Sequence, residues 1–95
     1  MGASSVDELT VTYKEDGVET VKELDKVILS KGAWSTIIFR FQNLDRKTNE
    51  YGPDKYTIRR YQKRNDEYML KSKFNISSAD QAQKIIGVLE EWIKE

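Results

Sequence analysis

The chain has no cysteine and no histidine, and its 95 residues include a single proline. Without cysteine there is neither a disulfide nor a thiolate site. Without histidine the commonest general base and metal ligand is missing. No apolar run approaches the ~20 residues that a membrane-spanning helix needs, and no charged-then-apolar leader points to export. The expectation is a soluble, cytoplasmic protein (nucleoid-associated if bacterial). Enzyme signatures are missing too: there is no G-x-x-x-x-G-K-[ST], no G-x-G-x-x-G and no G-x-S-x-G. Glu90 and Glu91 are adjacent on a helical pattern and point apart, poorly placed as an acid/base pair. Asp45, Glu50 and Asp54 lack the tight alternation of a calcium loop. No catalysis, no metal and no small-molecule cofactor are expected.

Net charge is also absent, since sixteen Lys/Arg balance sixteen Asp/Glu. The balance hides an asymmetry. Residues 1–39 hold four Lys against seven acidic residues, residues 40–73 hold ten Lys/Arg against five, and residues 74–95 hold two Lys against four. The centre of the chain is basic and both ends are acidic. Field strength follows that distribution rather than the sum, so any anion-binding surface belongs to residues 40–73. Apolar residues make up 38% of the chain and aromatics 11%, enough for a core. The length fits one domain over residues 6–95, with residues 1–5 a frayed, flexible end.

β-rich runs separated by turn residues dominate the chain. Leu9–Tyr13 is the first, and Asp16-Gly17 then forms a tight-turn signal. A second β-prone stretch covers Val18 to Leu29, and Ser30-Lys31-Gly32 turns the chain. Trp34–Phe41 is rich in β-branched and aromatic residues and reads as a strand. Asn43–Asp54 is a polar loop containing Gly52-Pro53. Tyr56–Lys63 and Tyr68–Ile76 are two further strands around an Asn65-Asp66 turn. The period then changes. Ala82, Ile85, Ile86, Leu89, Trp92 and Ile93 recur at three and four residues, an apolar stripe on a helix of about four turns. Ser78 followed by Gln81 fits a capping box at its start. Four or five antiparallel strands followed by one amphipathic helix make an α+β domain, with residues 6–20 supplying the optional fifth strand.

Side chains alternate along a strand, so each strand divides into two faces. The polar faces collect Arg40, Arg59, Lys63, Lys71 and Lys73, interleaved with Trp34, Tyr61 and Met69, and no acidic residue. Cations along a track with flat rings between them suit single-stranded nucleic acid, through phosphate pairing and base stacking. The same lysines and arginines also fit a merely solvated face that discourages edge pairing, and a protein-docking face is a third reading. In the nucleic-acid reading Ile58 belongs to the core and Tyr61 to the exposed side. The inverse would nominate Tyr56, Arg60 and Gln62. One helix covers only part of a sheet face, so the stripe ending in Leu89, Trp92 and Ile93 is core or the contact of a homodimer.

Ile58-Arg59-Arg60-Tyr61, the basic stretch holding Lys71 and Lys73, and Ile76-Ser77 running into the helix resemble the transcriptional coactivator positive cofactor four family and its small bacterial relatives. The resemblance covers roughly residues 24–93. Asn75 stands where that family usually has Gly, and Ser78 where it has Leu. Asn is the commonest substitute where Gly adopts a left-handed backbone. The resemblance implies a curved four-stranded antiparallel sheet with a C-terminal helix, a dimer built partly from helices, and single-stranded DNA along the sheet. By that resemblance Arg59 and Tyr61 fall on the nucleic-acid strand and Lys73 on the basic hairpin. The combined expectation is a non-enzymatic module binding single-stranded DNA, or RNA, in transcription or DNA maintenance. The alternative is a protein-interaction module docking through its sheet face or helix.

Overall fold

A computed structural model describes residues 5–94, so residues 1–4 of the expected frayed end lie outside the described residues. Ser5 is described, and it caps one turn of 3₁₀ helix at Val6–Glu8, accepting from the Asp7 N–H while Glu8 reaches back to the Ser5 N–H. Six strands follow in chain order: β1 (Tyr13–Glu15), β2 (Val18–Ser30), β3 (Trp34–Asp45), β4 (Glu50–Tyr51), β5 (Lys55–Arg64) and β6 (Glu67–Ile76). One helix, α1 (Ala79–Ile93), ends the chain. All pairings are antiparallel, in the order β1-β2-β3-β5-β6, with β4 added to the end of β3. This is an α+β fold, a curled sheet with one C-terminal helix.

The turns follow local chemistry. Asp16 and Gly17 both adopt positive φ, as do Asn65 and Asp66, which is the backbone that a two-residue hairpin requires. The polar loop after β3 is more ordered than its composition predicts. β3 runs on to Asp45 and pairs Leu44 with Tyr51 and Asp45 with Glu50, with Asn49 at positive φ in the connection. Asn75 is an ordinary strand residue rather than a left-handed one; its side-chain oxygen lies 2.8 Å from the Thr57 hydroxyl.

The first β-rich run behaves differently from expectation. Only Tyr13 of Leu9–Tyr13 belongs to a strand. Val6, Leu9 and Val11 instead lay a strap across one face of the sheet and are buried against Ile37, Phe39, Tyr61 and Tyr68. Lys26 holds the strap in place, since its Nζ donates to the Asp7 carbonyl at 2.8 Å and to the Leu9 carbonyl at 2.6 Å. The apolar gain from burying three such side chains is about 1.5–3 kcal/mol each, which outweighs the short ladder they forgo. Register shifts within the β1–β2, β2–β3 and β5–β6 pairings bend the sheet around this strap. The strap side is called the inner face below.

α1 leaves from the other, outer face. Ser78 accepts from the Gln81 N–H at 3.1 Å, while Gln81 reaches back to the Ser77 N–H rather than to that of Ser78. The expected capping residues are therefore in use, shifted by one position on the return bond. None of the side chains of α1 is buried.

Candidate nucleic-acid interface

Cross-strand pairing decides which residues share a face. Ser35, Ile37, Phe39 and Phe41 of β3 stand opposite Tyr61, Arg59, Thr57 and Lys55 of β5. In turn Arg59 stands opposite Lys73, and Thr57 opposite Asn75, on β6. These residues form the inner face. The outer face comprises Trp34, Thr36, Ile38 and Arg40 opposite Gln62, Arg60, Ile58 and Tyr56. The alternation reading put Trp34, Arg40 and Met69 on one surface with Arg59, Tyr61, Lys63 and Lys73. The register separates them. Arg40 lies across the sheet from Arg59 and is bonded to Asp54 at 3.4 Å. Trp34 lies beneath the Arg60 guanidinium, 4.7 Å from its ring centroid, and Met69 pairs with Gln62 on the same side.

The core side of β5 is also the reverse of the one expected. Tyr61 is only 5% exposed and belongs to the core with Leu9 and Val11, whereas Ile58 is half-buried on the outer face. The reversal has a plain cause. β5 carries Thr57, Arg59, Tyr61 and Lys63 on one face and only one aliphatic residue, Ile58, on the other, so composition alone favours the wrong face. Burial raises the Tyr61 pKa above its ordinary 10.0, and the Glu23 carboxylate adds to that rise; the adjacent Arg59 cation works in the opposite sense.

Around this core the inner-face cations form a row. Lys55, Arg59 and Lys63 recur every four residues of β5, about 13 Å apart on an extended strand. Lys73 lies beside Arg59, and Lys71 occupies the β6 bulge. None of the five is paired with a carboxylate among the described residues. Lys63 sits 5.6 Å from the Tyr68 ring centroid. The Arg59 Nε is buried and has no hydrogen-bond partner among the described residues. A buried donor without an acceptor is costly, and an anion reaching it would satisfy it.

Arg59 also lines a groove of about 590 Å³ between the strap and the end of β6. Thr10–Tyr13 form one wall and Asn75–Ser77 the other; Phe41, Lys55, Tyr56 and Arg59 also line it. Among the described residues no carboxylate lines the groove, although Glu23 stands near Tyr61. Tyr13 is 59% exposed at the rim. Two of these groove residues escape the alternation reading. Lys55 is one residue before the expected start of the strand, and carrying the period back from Arg59 would have included it. Tyr13 is brought there by the β1–β2 hairpin; the Asp16-Gly17 turn signals that hairpin, but nothing local says that it places Tyr13 beside Arg59. No family model matches the chain, and no curated protein or solved structure matches it.

Proposed function

We propose that the chain is a non-enzymatic module that binds single-stranded nucleic acid, DNA in the first instance, along the inner-face margin between the strap and β6. The observation that carries this reading is the groove itself: Lys55 and Arg59 line it with Tyr13 and Phe41, no carboxylate among the described residues lines it, and the Arg59 Nε finds no hydrogen-bond partner among them. Phosphates pair with Lys55, Arg59 and Lys73, and a base stacks on the exposed Tyr13 ring. This division suits a single strand, whose bases are free to stack while its backbone is neutralised. Tyr61 supports the track from beneath as a core residue. Positive cofactor four, the family that the Ile58–Tyr61 and Ile76–Ser77 elements resemble, also uses single-stranded DNA, which agrees with this choice and suggests a role in transcription or DNA maintenance.

Fluorescence anisotropy with a labelled ~20-nucleotide oligomer over a range of salt is the test. Three phosphates neutralised by Lys55, Arg59 and Lys73, at about 0.7 ions each, give a slope of log affinity against log salt near −2. No binding at low salt, or a flat salt response, would remove the proposal and favour a protein partner.

A further inference from the structure

One side chain of the groove has half of its bonding capacity engaged. Thr57 is fully buried on the inner face of β5, opposite Asn75 of β6. Its hydroxyl has a single proton and two acceptors in range, the Asn75 Oδ1 at 2.8 Å and the Phe74 carbonyl at 3.3 Å. Only the first lies within the roughly 2.5–3.0 Å of an O–H···O bond, so the proton goes to Asn75. That bond orients the amide. The Oδ1 is turned to Thr57, and the Nδ2 amino group, which has no partner among the described residues, is what an exposed Asn75 presents to a ligand in the groove it lines.

The rest of the lining has the same bias. Lys55 and Arg59 can only donate. The Thr10 hydroxyl donates to Glu23 and accepts from the Thr12 N–H, so its acceptor side is already in use. The Thr12 hydroxyl accepts from the Glu23 N–H, which leaves its proton to offer. Donors therefore outnumber acceptors in the groove. Bases differ in this respect: guanine, thymine and uracil carry keto oxygens that accept, whereas adenine and cytosine carry amino groups that donate. An asparagine usually reads adenine with both halves of its amide, the oxygen accepting from N6 while the nitrogen donates to N7. Thr57 withdraws the oxygen half, so that pairing is closed to Asn75.

We propose that the groove selects keto bases over amino bases, with Asn75 as the reading residue and Thr57 as the residue that positions it. The proposal rests on the nucleic-acid reading and names the bases that this site takes. Tyr13 and Asn75 stand on facing walls, so a base entering beside Tyr13 comes within reach of the Asn75 Nδ2. Selection of this kind belongs to this chain, because the family it resembles usually has a glycine at this position, and a glycine has no amide to present.

Fluorescence anisotropy with labelled ~6-nucleotide oligomers of deoxyuridine and of deoxycytidine tests it. The two are pyrimidines of one size that differ in their keto and amino edges, so stacking and backbone charge are held nearly constant. The deoxyuridine oligomer should bind about 3- to 10-fold more tightly, as one added hydrogen bond allows. Asn75→Ala, at an exposed strand position, should bring the ratio to about one while leaving the deoxycytidine affinity unchanged. Thr57→Val keeps the volume and frees the amide to turn over, so the ratio should also fall, here through a gain for deoxycytidine. Equal binding of the two oligomers by the wild type, or a deoxycytidine preference, overturns the proposal. So does a ratio that persists in Asn75→Ala, and a ratio that survives Thr57→Val in a folded protein overturns the positioning role. Binding of neither oligomer at low salt removes the nucleic-acid reading itself, and this proposal with it.

Discussion

Tyr61 and Arg59 are neighbours but one on β5, and their side chains have opposite duties. Tyr61 fills the space beneath Leu9 and Val11, so Tyr61→Ala should cost about 3–5 kcal/mol of stability in a denaturant titration, as loss of a buried aromatic ring does. An effect under about 1 kcal/mol would show that the strap can settle into the vacancy. Its titration has a defined sign. Burial raises the folded-state pKa above 10.0, so the folded chain holds the phenolic proton after the unfolded chain has lost it. Stability should be unaffected by this group below about pH 10 and should fall as pH rises through the folded-state value. Tyr61→Phe should lessen that alkaline loss, which pH-dependent melting curves would reveal. Arg59 faces the groove instead. Arg59→Ala should weaken oligonucleotide binding and flatten the salt slope by about 0.7, and Tyr13→Ala should cost about 1–3 kcal/mol of binding with the slope unchanged.

At the scale of elements, the strap and the helix are the two pieces that the sheet does not itself order. The strap is tied down by one cation. Lys26→Met keeps the aliphatic stem and removes two donated hydrogen bonds, at 2.8 and 2.6 Å. Amide exchange over Val6–Thr12 should accelerate markedly, with a global loss of about 1.5–3 kcal/mol from hydrogen bonds to a charged group. Unchanged protection there would mean that Val6, Leu9 and Val11 hold the strap by burial alone. For α1 the anchor is Ser78. Ser78→Ala should cost about 1 kcal/mol, felt as fraying of the first turn in circular dichroism, because Gln81 loses its acceptor.

The whole molecule is a sheet with two faces of different chemistry. One is a basic margin beside a plugged core, and the other carries Ile38 and Ile58 among polar neighbours beside the exposed helix α1. If the first takes nucleic acid and the second takes a second copy, as the family resemblance implies, the two functions separate by mutation. Trp92→Glu should bind a ~6-nucleotide oligomer as the wild type does, since the groove is intact. Toward a ~20-nucleotide oligomer able to reach two grooves it should lose the gain from linked sites, which is often 10²-fold or more. Anisotropy on the two lengths would decide the matter. Equal losses on both would place Trp92 in the nucleic-acid site itself.

Local chemistry was legible without coordinates. Asp16-Gly17 and Asn65-Asp66 mark hairpins because few residues tolerate positive φ. Trp34–Phe41 reads as a strand because β-branched and aromatic residues suit a pleated surface. Ser78 and the stripe from Ala82 to Ile93 define a helix through its cap and its period. Each of these signals is carried by neighbours in the chain. The site was legible only in part, because alternation splits a strand into two faces but says nothing of which faces join across strands. Pairing Ile37 with Arg59, and Arg40 with Tyr56, is a non-local choice. Tertiary structure made it by curling the sheet around Val6, Leu9 and Val11, so that a strand face of Thr57, Arg59 and Tyr61 became the inside and Ile58 turned outward. The apolar strap needed cover, and the face that could wrap it became the core, whatever the polarity of its individual residues.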